Sequence, residues 1–317
     1  MVSRVRELVQ EFDGALGYIR EDRGNLPRYE LFHAPQSICA QKVRVVLAHH
    51  GTPYVERRIN PIAGDSYLPS YVHLRMLGCA RIGAPLAKSH SGGTSVTTSG
   101  CDACVVPTLI DWETDEVIVD SKHICIYLDD QMPEAVKLRP TAIADDIDEE
   151  LAIVDEVPNV VMLLEKSPDG EDTVHTKLRG NSVAYTSSRI ALSERYLAEC
   201  ADDPVLVEAY SAKIAKEKHA AEQSFSSEAV KRAYRHAESA CQELEEKLTR
   251  RGSTWLFGES VTMADLFWGV ELIRFKNLGT ATFWSNERLP RVARYVDAIE
   301  KLPSIRAGLL EWQDALF

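Results

Sequence analysis

Ser37-Ile38-Cys39 opens an apolar helical pattern, SICAQKVRVVLAHHG, directly behind the strand-like YELFH. With Ser37 as N-cap, Cys39 falls in the first turn, where unpaired backbone N–H groups and the helix dipole favour an anion and lower a thiol's pKa. That placement suits a thiolate nucleophile. A free cysteine is also a small apolar residue that fills cores, so position alone leaves both readings open.

Two further junctions offer ligand chemistry. Val106-Pro107 precedes an apolar strand pattern, and a proline there marks a strand start, an edge or a cis bond that turns main-chain groups toward a peptide-like ligand. Asp120-Ser121 stands where a strand meets the helical SKHICIYLDD, read as capped by Ser121. A hydroxyl with free N–H groups holds a carboxylate and a neighbouring aspartate pairs with an ammonium, the two charges of a glutamyl head group. Plain capping explains the same pair without a ligand.

Other candidates carry less. Cys101-Asp102-Ala103-Cys104 has redox or zinc spacing, yet it enters a strand rather than a helix, and a zinc site needs two more ligands, for which His90 and Cys79 lack motif spacing. His33, His49, His50 and His123 have no partner at triad or metal spacing and read as packing or surface. Thr262-Met263-Ala264-Asp265 before LFWGVELIRF reads as a structural capping box. No metal site and no nucleotide fingerprint is expected.

The elements that position these residues follow from periodicity. Residues 1–27 form a short amphipathic helix, with Val5, Leu8, Val9 and Phe12 on one face, and a turn through Gly24, Asn25 and Pro27, an appendage to the core. Residues 28–136 read as strand, helix, strand (YVERRIN), an insertion at about 61–104, a hairpin (VVPTLIDW, ETDE, VIVD) and a helix. This is the order of a thioredoxin-like half. The insertion, with SHSGGTSVTTSG, is long for a structureless loop and implies a functional cover or a mobile segment. Residues 137–317 show helical patterns alone, including AIADDIDEELAIVDEV, VLVEAYSAKIAKEKHAAE and SEAVKRAYRHAESACQELEEKL.

With 317 residues and 45% hydrophobic content, the chain can bury a large core. A net charge of -12 disfavours nucleic acid and anionic lipid, while leaving room for a local basic pocket. The opening MVSRVRELVQEFDG is no signal peptide and no run reaches membrane-span length, so cytosolic residence is expected. Seven scattered cysteines read as reduced thiols rather than a disulfide framework.

In this order, the pieces resemble the glutathione S-transferase superfamily. Within it, SICAQKVR, SYVHLR, VVPTL, DSKHICIYL, WLFGESVTMADLFW and TFWSNERLPRVARY resemble the glutathione-dependent reductive dehalogenases of chlorinated hydroquinones, and SPDGED and DPVLVEAYSAKIAKE extend the likeness along nearly the whole chain. Ala40 and Arg75 depart from the pattern of these relatives. The resemblance implies an α/β thioredoxin-like N-terminal domain plus an all-α C-terminal domain. It implies glutathione as co-substrate, held by Val106, Pro107, Asp120 and Ser121, with Cys39 and Ser37 as catalytic residues. It also implies a small aromatic substrate and a homodimer. The alternatives are a glutathione transferase or lyase acting on aryl ethers or other aromatic electrophiles, and a non-catalytic glutathione-fold binding protein.

Overall fold

Heptad-like spacing of Val5, Leu8, Val9 and Phe12 becomes helix α1 (Arg4–Ala15), with all four side chains buried. The structure is a computed structural model that describes residues 3–17, 26–90, 92–167 and 179–316. Gly24 and Asn25 of the expected turn, and most of SPDGED, lie outside those residues. Strand β1 (Tyr29–His33) is buried along its whole length. Helix α2 (Ile38–His50) begins at Ser37, whose hydroxyl accepts from the Ala40 N–H, and stops at Gly51, whose φ of 61° suits glycine. Strand β2 (Tyr54–Arg58), α3 (Pro69–Ile82), the short α4 (Val96–Ser99), β3 (Thr108–Asp111), β4 (Glu116–Val119) and α5 (Ser121–Asp130) follow.

The four strands form one sheet in the order β2-β1-β3-β4, with β1 parallel to β2 and antiparallel to β3. The β3–β4 hairpin pairs Thr108 with Val119 and Asp111 with Glu116. This brings the N-terminal end of β3, with Pro107, beside the C-terminal end of β4, with Asp120.

Helix α1 is a wall of the core and not an appendage: Phe12 sits 5.7 Å from Phe32 and 5.5 Å from Tyr71, ring centre to ring centre. Burying a phenylalanine in this way contributes roughly 1.5–3 kcal/mol.

Helices α6 (Ala144–Asp155), α7 (Asn159–Leu164), α8 (Ser182–Glu199), α9 (Pro204–Gln223), α10 (Ser227–Arg251), α11 (Met263–Asn277), α12 (Pro290–Ile299) and α13 (Pro303–Ile305), then a π turn at Arg306–Leu310, complete the chain. Every residue of α11 from Met263 to Phe275 is buried, as befits a helix apolar on nearly all sides. The capping box reads as expected: the Asp265 carboxylate accepts from the Thr262 N–H at 2.8 Å, and also from the Tyr295 hydroxyl at 2.7 Å.

Helix α2 lies between the sheet and this bundle, in one continuous core with Leu31, Val43, Val46, Phe267 and Ile305. Close approach is needed on its far side. A Cβ on Gly308 would stand 2.8 Å from the Val45 main chain. Arg44 then donates to the Gly308 carbonyl at 3.0 Å and to the Pro35 carbonyl at 3.0 Å.

Candidate active site

Ser37, Cys39, Val106, Pro107, Asp120 and Ser121 line one cavity of about 310 Å³. Three junctions far apart in the sequence thus converge at one end of the sheet. Cys39 is half-buried in the first turn of α2. Its thiol departs from the lowered pKa expected of a helix start: burial pushes it up, opposed by the Lys42 ammonium and by a hydrogen bond from the Ser121 hydroxyl. Loss of water outweighs the first-turn advantage.

The Val106–Pro107 bond is cis. The Tyr71 hydroxyl donates to the Val105 carbonyl at 2.9 Å, and Arg75 donates to the Pro107 carbonyl at 2.6 Å and to Thr108 Oγ1 at 2.9 Å. Arg75, one of the departures noted above, therefore braces the proline loop. It also holds the Asp102 carbonyl, at 2.9 and 3.0 Å, tying in the end of the insertion.

At the third junction the cap is Asp120, not Ser121. The Asp120 carboxylate accepts from the His123 N–H at 3.1 Å and pairs with the His123 ring at 2.8 Å, which leaves Ser121 as the first helical residue, buried, with its hydroxyl free to face Cys39. A carboxylate adopts the left-handed conformation at Asp120 (φ 71°) more readily than most side chains. Such a conformation at a cavity-lining residue is strain held by its surroundings.

Beneath Cys39 lies a set of buried charges that the sequence reading missed. Lys42, fully buried one turn along α2, donates to Asp155 Oδ1 at 2.7 Å, and Thr94 Oγ1 donates to the same oxygen at 3.1 Å. Their mutual attraction pushes the lysine pKa up despite burial. On α11, Arg274 donates to the Gln36 carbonyl at 2.5 Å and to Gln41 Oε1 at 3.2 Å, fixing the loop that enters α2. Glu271, one turn before it, accepts from Asn159 Nδ2 at 3.0 Å, and burial pushes its carboxyl up to about 7. The available signal was the polar pair Glu271 and Arg274, three residues apart within an otherwise apolar run.

The insertion contributes cavity wall through Pro61, Ile62, Arg75, His90, residues 93–96, residues 99–102 and Cys104. Cys101 and Cys104 are buried; a hydrogen bond with Cys79, and then burial, push the Cys101 thiol up, and burial pushes the Cys104 thiol up. No group of metal-ligating side chains occurs among the described residues. Of the flanking histidines, His33 is buried between Arg44 and Glu56, at 3.1 and 3.2 Å, and its pKa is pushed down to about 4 by burial and by Arg44. His50 pairs with Asp129 at 2.9 Å.

Comparison with known proteins gives this geometry a family. The family model described as glutathione S-transferase, N-terminal domain, matches residues 36–131, and that of the C-terminal domain matches residues 227–298. The chain belongs to the glutathione S-transferase superfamily. Two proteins named 2,5-dichlorohydroquinone reductive dechlorinase, from Sphingobium indicum strains B90A and UT26, are each 35% identical to it over 289 residues, 90% of this chain and 83% of theirs. Among solved structures, the β-etherase LigF from Sphingobium sp. strain SYK-6 superposes with a TM-score of 0.56 at 14% identity, covering 90% of this chain and 100% of that one. Gtt2 from Saccharomyces cerevisiae gives a TM-score of 0.54 at 14% identity, covering 88% and 100%. Ure2p in complex with glutathione gives 0.53 at 15% identity, covering 90% and 99%. At these identities the solved structures share the fold of this superfamily member. No helix among the described residues is long and apolar enough to cross a membrane.

Proposed function

We propose that this superfamily member is a glutathione-dependent reductive dehalogenase of chlorinated hydroquinones. Residues 28–136 hold glutathione through Val106, Pro107, Asp120 and Ser121, and residues 137–317 close over the aromatic ring. The observation that carries the reading is Cys39, in the first turn of α2, sharing one cavity with both glutathione-type junctions. The 35% identity to proteins named for dechlorination of 2,5-dichlorohydroquinone supports the substrate class.

In the first stage the sulfur of one glutathione displaces chloride from a quinonoid form of the substrate, giving an aryl thioether. In the second, Cys39 sulfur attacks the glutathione sulfur. The carbon–sulfur bond breaks, its electron pair returns the ring to the hydroquinone, and the ring carbon gains a proton. The proton lost from the Cys39 thiol as its sulfur attacks balances the one the ring carbon gains. The Cys39–glutathione disulfide is then cleaved by a second glutathione, releasing glutathione disulfide, so two glutathiones are oxidised per chloride replaced by hydrogen. Ser37 orients the reacting sulfur from the cap of α2. The same reading includes a cytosolic homodimer, which sedimentation and fractionation test.

The deciding experiment incubates wild-type chain and Cys39→Ser with glutathione and 2,5-dichlorohydroquinone, measuring chloride, glutathione disulfide and thioether. Wild type should release chloride and glutathione disulfide, and the variant should accumulate the thioether. Dehalogenated product and glutathione disulfide at the wild-type rate from Cys39→Ser refute the role of Cys39. A stable thioether from wild type refutes reduction and makes the chain a transferase.

A further inference from the structure

The cavity is cationic although the chain is acidic. Among the described residues its lining carries five cationic side chains, Arg75, Arg189, Lys213, Lys216 and Arg274, against three carboxylates, Asp102, Asp120 and Glu217, within a chain of net charge -12. Four of the five cations are already engaged. Arg75 and Arg274 hold main-chain carbonyls, as described above. Lys213 pairs with Asp102 at 2.8 Å and Glu217 at 2.9 Å, and Lys216 pairs with Asp102 at 2.9 Å. Arg189 differs: it has no carboxylate within ion-pair distance among the described residues, and its guanidinium lies over the Tyr185 ring, 3.5 Å from the centroid. Stacking fixes the plane of the guanidinium, and the N–H groups not bonded to Tyr185 are left for a hydrogen-bonded anion. Its charge interacts with Tyr185, to which it also hydrogen-bonds, with Tyr67 and with Glu217, and the Tyr67 hydroxyl is buried with no hydrogen-bond partner.

Arg189 and Tyr185 are on α8 and Lys213 and Lys216 on α9, whereas Cys39, Pro107 and Ser121 line the same cavity from the sheet side. We propose that Arg189, held flat by Tyr185, is a specificity-determining residue that binds the ionised hydroxyl of the aromatic substrate and so selects phenolates over neutral phenols. The inference deepens the dehalogenase reading and rests on it for the aromatic substrate. Ring chlorines make a phenolic hydroxyl more acidic, so an anion site favours chlorinated rings over unchlorinated ones without touching the halogen. Losing one guanidinium–oxyanion pair in a half-buried site is expected to cost about tenfold in affinity, about 1.4 kcal/mol.

The test is equilibrium binding and needs no turnover. 2,6-Dichlorophenol, kept ionised by buffer, and its methyl ether, which cannot ionise, are titrated by calorimetry into glutathione-loaded wild type, Arg189→Gln and Arg189→Lys. Glutathione itself is titrated into each unliganded chain as a check on folding. Wild type should prefer the phenolate, Arg189→Gln should lose about tenfold for the phenolate alone, and Arg189→Lys should retain part of the preference. Equal affinities of wild type for phenolate and ether, equal losses for both in Arg189→Gln, or no loss, overturn the proposal. A loss confined to glutathione also overturns it and assigns the guanidinium to a glutathione carboxylate. Failure of the dehalogenase reading registers separately, as absence of chloride release, and leaves these affinities unaltered.

Discussion

Replacing Glu271 with glutamine keeps the shape of a fully buried side chain and removes its titration. Folded chain holds the Glu271 proton more tightly than unfolded chain, because burial pushes the carboxyl from 4.5 up to about 7. Folding therefore takes up a proton in that interval, and stability falls as pH rises through it. The contribution is complete below 4.5 and gone above about 7. At about 1.4 kcal/mol per pH unit, the interval is worth about 3 kcal/mol. Glutamine still accepts from Asn159 Nδ2, so the variant lacks the slope without losing the hydrogen bond. Urea denaturation of both chains at steps across the interval and above it measures the difference directly. Glu271→Gln should gain on wild type by about 3 kcal/mol between the two ends. Parallel stability curves would refute the reasoning and mean that Lys42 and Arg274 keep Glu271 ionised throughout.

Lys42→Met leaves Asp155 buried without its ammonium and should cost roughly 3–5 kcal/mol in urea denaturation; an unchanged midpoint contradicts the burial of that pair. Gly308→Ala drives a Cβ to 2.8 Å from the Val45 main chain. It should cost roughly 1–3 kcal/mol and weaken glutathione binding by shifting α2, and a wild-type melting temperature would argue against so close an approach. Ser121→Ala should lower glutathione affinity about tenfold with a stability change under about 1 kcal/mol, because Asp120 caps α5; a large loss of stability with intact binding would restore the capping role to Ser121.

The elements of the N-terminal half were legible because each has local punctuation. Ser37 and Gly51 bracket α2, Pro107 opens β3, and alternation in VIVD marks β4. The polar floor of the site was not legible. Lys42, Asp155, Glu271 and Arg274 are conventional surface residues by type, and only tertiary packing reveals that three separate helices bury them together. The reversal at Asp120 and Ser121 has the same origin: either residue caps a helix, and the choice depends on a left-handed backbone and on His123, which capping preference alone does not encode. The thiol of Cys39 was misjudged because helix-start physics is local, whereas desolvation depends on everything packed above it.

The Lys42–Asp155 bridge also constrains how this chain can change over generations. Either residue lost alone strands a buried charge, while replacing both by apolar side chains of matching volume is close to neutral. Thr94, which shares the Asp155 oxygen, brings the insertion into the same bond. Lineages descended from this sequence should therefore keep lysine and aspartate together or exchange them together, and a homologue that has lost one should have rebuilt the segment around position 94 as well.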